Sequence, residues 1–143
     1  MALKTRPAPR KPVVGGLRTA GVGELVRLVK AGLPFDRLVK FQKTAGIPMD
    51  VVARLAGIPR RTLARRQHDG RLRPDESDRV LRLSTLFDLA TDLFEGDADG
   101  ARRWLESPQT GLGGEVPFEF ASTEVGAREV ENLILRLEHG VIA

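Results

Sequence analysis

The chain has 143 residues and a mass of 15.7 kDa, enough for one ordinary domain or two small ones with a core that needs no metal or covalent staple. It contains no cysteine and two histidines, His68 and His139, which excludes disulfide scaffolds, thiolate zinc sites, iron–sulfur clusters and cysteine nucleophiles. Charge is unevenly divided: residues 1–73 carry 17 Lys/Arg and 4 Asp/Glu (+13), residues 74–143 carry 6 and 15 (−9), for a total of +4, so that one half suits a polyanion and the other a different partner.

Residues 1–20 hold Pro7, Pro9 and Pro12 among basic residues, then Gly15-Gly16. So few apolar side chains cannot offset the entropy of ordering, and a disordered basic arm is expected. The opening MALKTRPAPRKP lacks the apolar core of a secretory signal, and no run approaches the ~20 apolar residues of a membrane helix. A soluble, cytoplasmic protein is the expectation.

From Gly23 to Ala31, Leu25, Val26 and Val29 share one helical face that ends near Gly32. Pro34 opens a second helix through Lys43, with Phe35, Leu38, Val39 and Phe41 as its apolar residues. A third runs from Met49 to about Ala56, Gly57-Ile58-Pro59 turns, and a fourth runs from Arg60 to about His68 before Asp69-Gly70. These elements form a first unit, 21–73.

The sequence Met49–Gln67, MDVVARLAGIPRRTLARRQ, places Val52, Leu55, Ile58 and Leu63 at buried positions and small Ala53 where a crossing helix approaches. It resembles the Xre/Cro-like helix-turn-helix motif, whose second helix lies in the major groove of DNA. That helix projects Arg60, Arg61, Arg65 and Arg66, each able to fork onto a phosphate or guanine O6/N7, and Thr62 adds a polar contact. These five residues are the DNA-binding candidates. Arg66 departs from the motif, standing where an apolar residue commonly packs the recognition helix onto the core.

Pro74 marks a boundary before a unit at 74–143. A long helix from Asp75 to Phe94 begins with Asp75, Glu76 and Asp78, as the helix dipole favours. Its apolar set spans more than the ~100° stripe of a surface helix, so it is buried on two sides, within its own domain or between subunits. Leu86, Phe87 and Phe94 are candidates for a homodimer seam and equally for the interior. Dimers suit a helix-turn-helix protein, which reads half-sites about 34–36 Å apart. A short helix holds Ala98, Ala101, Trp104 and Leu105. A Gly/Pro-rich connection follows from Ser107 to Pro117, in which Gly113-Gly114 supplies a turn with positive φ. The last helix runs from Glu124 to Glu138 along Ala127, Val130, Leu133, Ile134 and Leu137, and Gly140 stops it. No β-period persists, so the fold class is all-α.

The runs RPDESDRVLRLSTLFDLATDLFEGD, RRWLESPQTGLGGEVPFEF and REVENLILRLEHGVIA resemble the Xre/MbcA/ParS-type antitoxin family. The spacing Trp104-Leu105…Pro108…Leu112-Gly113-Gly114…Pro117 is the most recognisable part. With the helix-turn-helix included, the resemblance covers roughly residues 35–143. It implies a cognate RES-domain toxin that consumes NAD, a second half that binds it with the C-terminal end at its active-site entrance, and a first half that represses the operon through operator DNA. The toxin-binding candidates are then Trp104, Glu138, His139, Gly140, Val141, Ile142 and Ala143. By itself Trp104 reads as a core residue sooner than an interface anchor. The rival reading is a stand-alone repressor whose second half only dimerises.

The sequence has no HExxH, GxSxG or Walker pattern, so no enzyme, cofactor or metal is expected. Asp88, Asp92 and Glu95 fall at helical spacing and read as a solvated face or a surface for a basic partner. His139 in the last helical turn offsets the dipole, and His68 among arginines faces solvent or phosphate.

Overall fold

The computed structural model describes residues 21–140. The arm expected at 1–20 and the tail Val141-Ile142-Ala143 lie outside the described residues. Within them the chain forms α1 (Val22–Ala31), α2 (Phe35–Ala45), α3 (Met49–Leu55), α4 (Arg60–Asp69), α5 (Pro74–Leu93), α6 (Ala98–Leu105), α7 (Pro117–Phe120) and α8 (Glu124–Glu138). A 3-10 turn at Thr110–Leu112 precedes α7. The described residues contain no strand, only two isolated bridges, and the chain is all-α.

Two linkers close the first half. Phe35 N donates to Gly70 O at 2.9 Å and Leu72 N to Leu33 O at 2.8 Å, which ties the α1–α2 linker to the α4–α5 linker. Gly32 is at φ +90°, and a Cβ there would collide with the Leu72 carbonyl oxygen; only glycine permits this approach. Leu33 N donates to Ser77 Oγ at 2.8 Å, and that hydroxyl donates to Arg73 O at 2.8 Å, so the linkers are pinned to the first turn of α5.

The long helix α5 is the axis of the molecule. It packs against α1, α2, α6 and α8, in one continuous core from Leu33 to Ile134. Phe41 of α2 meets Phe87 of α5 edge to face, with centroids 6.3 Å apart and planes at 80°, a favourable aromatic geometry. The two-sided burial expected for α5 is therefore met inside one chain. Leu86 and Phe87 are each 2% exposed and belong to this core, which corrects their assignment to a dimer seam: a second copy would reach them only by opening the chain's own packing. Phe94, past the helix end, is partly buried against the core. The helix begins at the boundary expected at Pro74 and packs against elements of both halves.

The four-residue α7 is too short to show a helical period, so the sequence pattern does not announce it. It follows a turn in which Gly113 and Gly114 take φ +68° and +88°, as expected, beside the Gln109–Glu115 bridge. Thr123 Oγ1 caps α8 by accepting from Gly126 N at 3.0 Å, and Asp97 caps α6 by accepting from Gly100 N at 3.0 Å.

Candidate functional site

Val52, Ala53 and Leu55 of α3 and Ile58 of the turn before α4 are all buried, as expected. Between them Gly57 is at φ +68°, Ile58 N donates to Ala53 O at 2.8 Å, and Pro59 starts α4. The Ala56 carbonyl accepts from Arg79 Nε of α5 at 2.5 Å, so the turn is fastened to the central helix. Leu63 only partly fills an open groove of about 600 Å³ bordered by Met49, Ala53, Ile58 and Arg60. One apolar anchor thus holds α4, and a second is needed.

Arg66 is that anchor. Its Nε donates to Glu76 Oε1 at 2.8 Å and its Nη2 to Glu76 Oε2 at 3.2 Å, with the side chains 11% and 6% exposed. Glu76 also accepts from Arg73 N at 2.8 Å, capping α5 as it clamps α4. Burial pushes the Glu76 carboxyl up, but the hydrogen bonds from Arg66 and Arg73 and the Arg66 charge outweigh it and leave the group below its ordinary range. The expectation that Arg66 faces DNA is corrected here: its guanidinium is turned inward, which removes it from the DNA-facing set. Glu76, its unforeseen partner, is the third residue of α5, counting Pro74 as the first, where a capping carboxylate belongs.

The remaining arginines of α4 behave as expected in position. Arg60, Arg61 and Arg65 are exposed, and no ion pair among the described residues uses them. Ala64, Gln67 and His68 are exposed beside them, whereas Thr62 is half-buried. Three guanidinium groups on one short helix, none in an ion pair among the described residues, form a surface suited to phosphate and guanine. Arg54 on α3 is committed elsewhere, to Glu119 of α7 at 2.7 Å.

In the second half, Trp104 is half-buried and packs against the core, and its carbonyl accepts from Gln109 Nε2 at 3.0 Å. At the end of α8, Leu137 is 43% exposed, Glu138 is half-buried, and His139 and Gly140 are exposed. Val141, Ile142 and Ala143 lie outside the described residues. Asp88 is 2% exposed, which corrects the solvated face expected for it. It lies on an inward stripe of α5 with Ser84 and Thr91, whose hydroxyl donates to Phe87 O at 2.7 Å. No group of His, Asp or Glu among the described residues is arranged to hold a metal, and no helix among them is long and apolar enough to cross a membrane.

Residues 24–84 match the antitoxin Xre-like helix-turn-helix domain, and residues 89–140 match the antitoxin Xre/MbcA/ParS C-terminal toxin-binding domain. The two matches meet within α5. A protein of Yersinia enterocolitica named "Antitoxin Xre" is 42% identical over 143 residues, 99% of this chain and 95% of the relative. A second of that name, from Photorhabdus laumondii, is 36% identical over 90% of this chain and 87% of the relative. A third, from Pseudomonas putida, is 37% identical over 58% and 52%. These families are DNA-binding and toxin-binding domains of antitoxins, not enzymes. With a helix-turn-helix bearing an outward arginine face, a second helical half on the same central helix and relatives matched over nearly its whole length, the chain belongs to the Xre antitoxin family.

Proposed function

We propose that this antitoxin neutralises a cognate RES-domain toxin, an NAD-degrading enzyme, by setting its C-terminal end against the toxin's active-site entrance. It also represses its own operon as a cytoplasmic homodimer. The observation that carries the toxin-binding part is the end of α8, where Leu137 is 43% exposed and is followed by exposed His139 and Gly140. A large apolar side chain left open in a last helical turn gains by being covered, and the apolar run Val141-Ile142-Ala143 follows it in sequence. Trp104 adds a half-buried aromatic anchor of the kind enriched at interfaces. The DNA-binding part rests on Arg60, Arg61 and Arg65, with Thr62 beside them. For the dimer, Phe94 remains a candidate together with Leu89 and Leu93, which are only partly buried on the same helix end.

The test is purification from the native cell of the full chain and of a form ending at Leu137. A stoichiometric partner that consumes NAD once released, and that the shortened form no longer inhibits, is the expected result. Capture of DNA without a protein partner would overturn the toxin-binding part and leave a repressor.

A further inference from the structure

The faces of α4 have different occupants. Leu63 and Arg66 turn inward, one onto the core and the other onto Glu76. Arg61, Ala64, Arg65 and His68 are exposed, and their spacing of three, four and seven residues puts them on one stripe. Ala64 lies in the middle of that stripe, flanked by arginines. A long side chain there would hold α4 away from the floor of a groove, whereas a methyl group lets the helix backbone approach closely. In the major groove an alanine methyl has one apolar match, the 5-methyl of thymine. Arg61, one turn earlier, and Arg65, beside Ala64, have the reach and fork geometry for guanine O6 and N7.

Resting on the DNA-binding reading above, we infer that α4 reads its operator through Arg61, Ala64 and Arg65, with Ala64 seated on a thymine methyl, while Arg66 is a positioning residue that touches no DNA. The Arg66–Glu76 clamp joins the recognition helix to the first turn of α5. It holds α4 against α5, so the stripe is presented to the groove without first having to be ordered.

The experiment is selection of sequences from a randomised duplex pool by the full chain, compared with Ala64→Gly, Ala64→Gln, Arg61→Ala and the double variant Arg66→Met with Glu76→Gln. The double variant avoids leaving a buried carboxylate unpaired, and glutamine at position 64 preserves helix propensity where glycine weakens it. The wild-type consensus is expected to contain a thymine whose replacement by deoxyuridine weakens binding roughly four-fold, one methyl group's worth. Ala64→Gly becomes indifferent to that replacement, and Ala64→Gln enriches a different base there. Arg61→Ala relaxes a neighbouring guanine. The double variant enriches the wild-type consensus with an unchanged salt slope and uniformly lower affinity. Enrichment in which no thymine methyl matters, or in which both Ala64 variants keep the wild-type consensus, overturns the inference alone. A double variant that selects different bases, or whose salt slope flattens, overturns the role given to Arg66. No enrichment by the wild-type chain would overturn the DNA-binding reading itself and this inference with it.

Discussion

The two halves handle their arginines in opposite ways. In the second half, Arg79, Arg82, Arg102 and Arg128 each meet a carboxylate three or four residues away on their own helix, at 3.1–3.5 Å. On α4, Arg60, Arg61 and Arg65 meet none among the described residues. Among the described residues, the paired arginines of the first half, Arg54 and Arg66, reach across to Glu119 and Glu76 of the second half. The difference teaches where the positive field is directed. Cations balanced along their own helix add little to an external potential, whereas three uncompensated ones on a short exposed helix attract a polyanion and make binding steeply salt-dependent.

The sharpest way to break this comparison is in the core that joins the halves. Leu86→Ala is expected to cost about 2–5 kcal/mol of stability, read as a lower melting temperature at every protein concentration. A variant that instead dissociates from dimer to monomer with its fold intact would return Leu86 to a subunit seam.

Next in size is the exposed face of α4. Arg61→Ala is expected to lose ~1–3 kcal/mol of discrimination between the preferred and other sequences. Removing an arginine that neutralises a phosphate, as expected for Arg60→Ala, flattens the slope of log K against log salt by ~0.9. Titration at several salt concentrations separates the two, and an affinity unchanged in the Arg60→Ala, Arg61→Ala double variant would remove this helix from the interface.

The clamp between the halves makes a pH-dependent contribution. Glu76 has a lower pKa folded than unfolded, so its contribution is fully present above the ordinary carboxylate range. It is lost as pH falls from that range through the lower folded value. Glu76→Gln is therefore expected to show lower stability than wild type near neutrality and a flatter loss on acidification, measured by denaturant midpoints across the acid limb. Parallel pH profiles for the two proteins would mean that the pair contributes nothing to the linkage.

The smallest effect belongs to the exposed tie. Arg54 and Glu119 have side chains 58% and 47% exposed, and pairs of that kind contribute about 0–1 kcal/mol. Arg54→Ala should move the thermal midpoint only slightly, and less in high salt. A large loss would show that the halves are held together by this tie and not by the shared core along α5.

The sequence by itself determined the longer helices, their turns and the uneven charge, because apolar period, glycine and proline act locally, whereas the four-residue α7 is too short to carry a period. Val52, Leu55 and Ile58 announce the helix-turn-helix, and Gly113-Gly114 announces its turn. Tertiary structure decided which of several equivalent side chains faces inward. Arg65 and Arg66 are neighbours of the same type, yet helical rotation leaves one in solvent and brings the other against Glu76, ten residues on. Leu86 and Phe87 are legible as apolar but not as interior, since an apolar face looks alike whether its own chain or a second copy covers it. Asp88 reads as solvated because a carboxylate's burial depends on elements far away in sequence. Periodicity records which residues share a helix face, and only the packing of the other helices determines what that face meets.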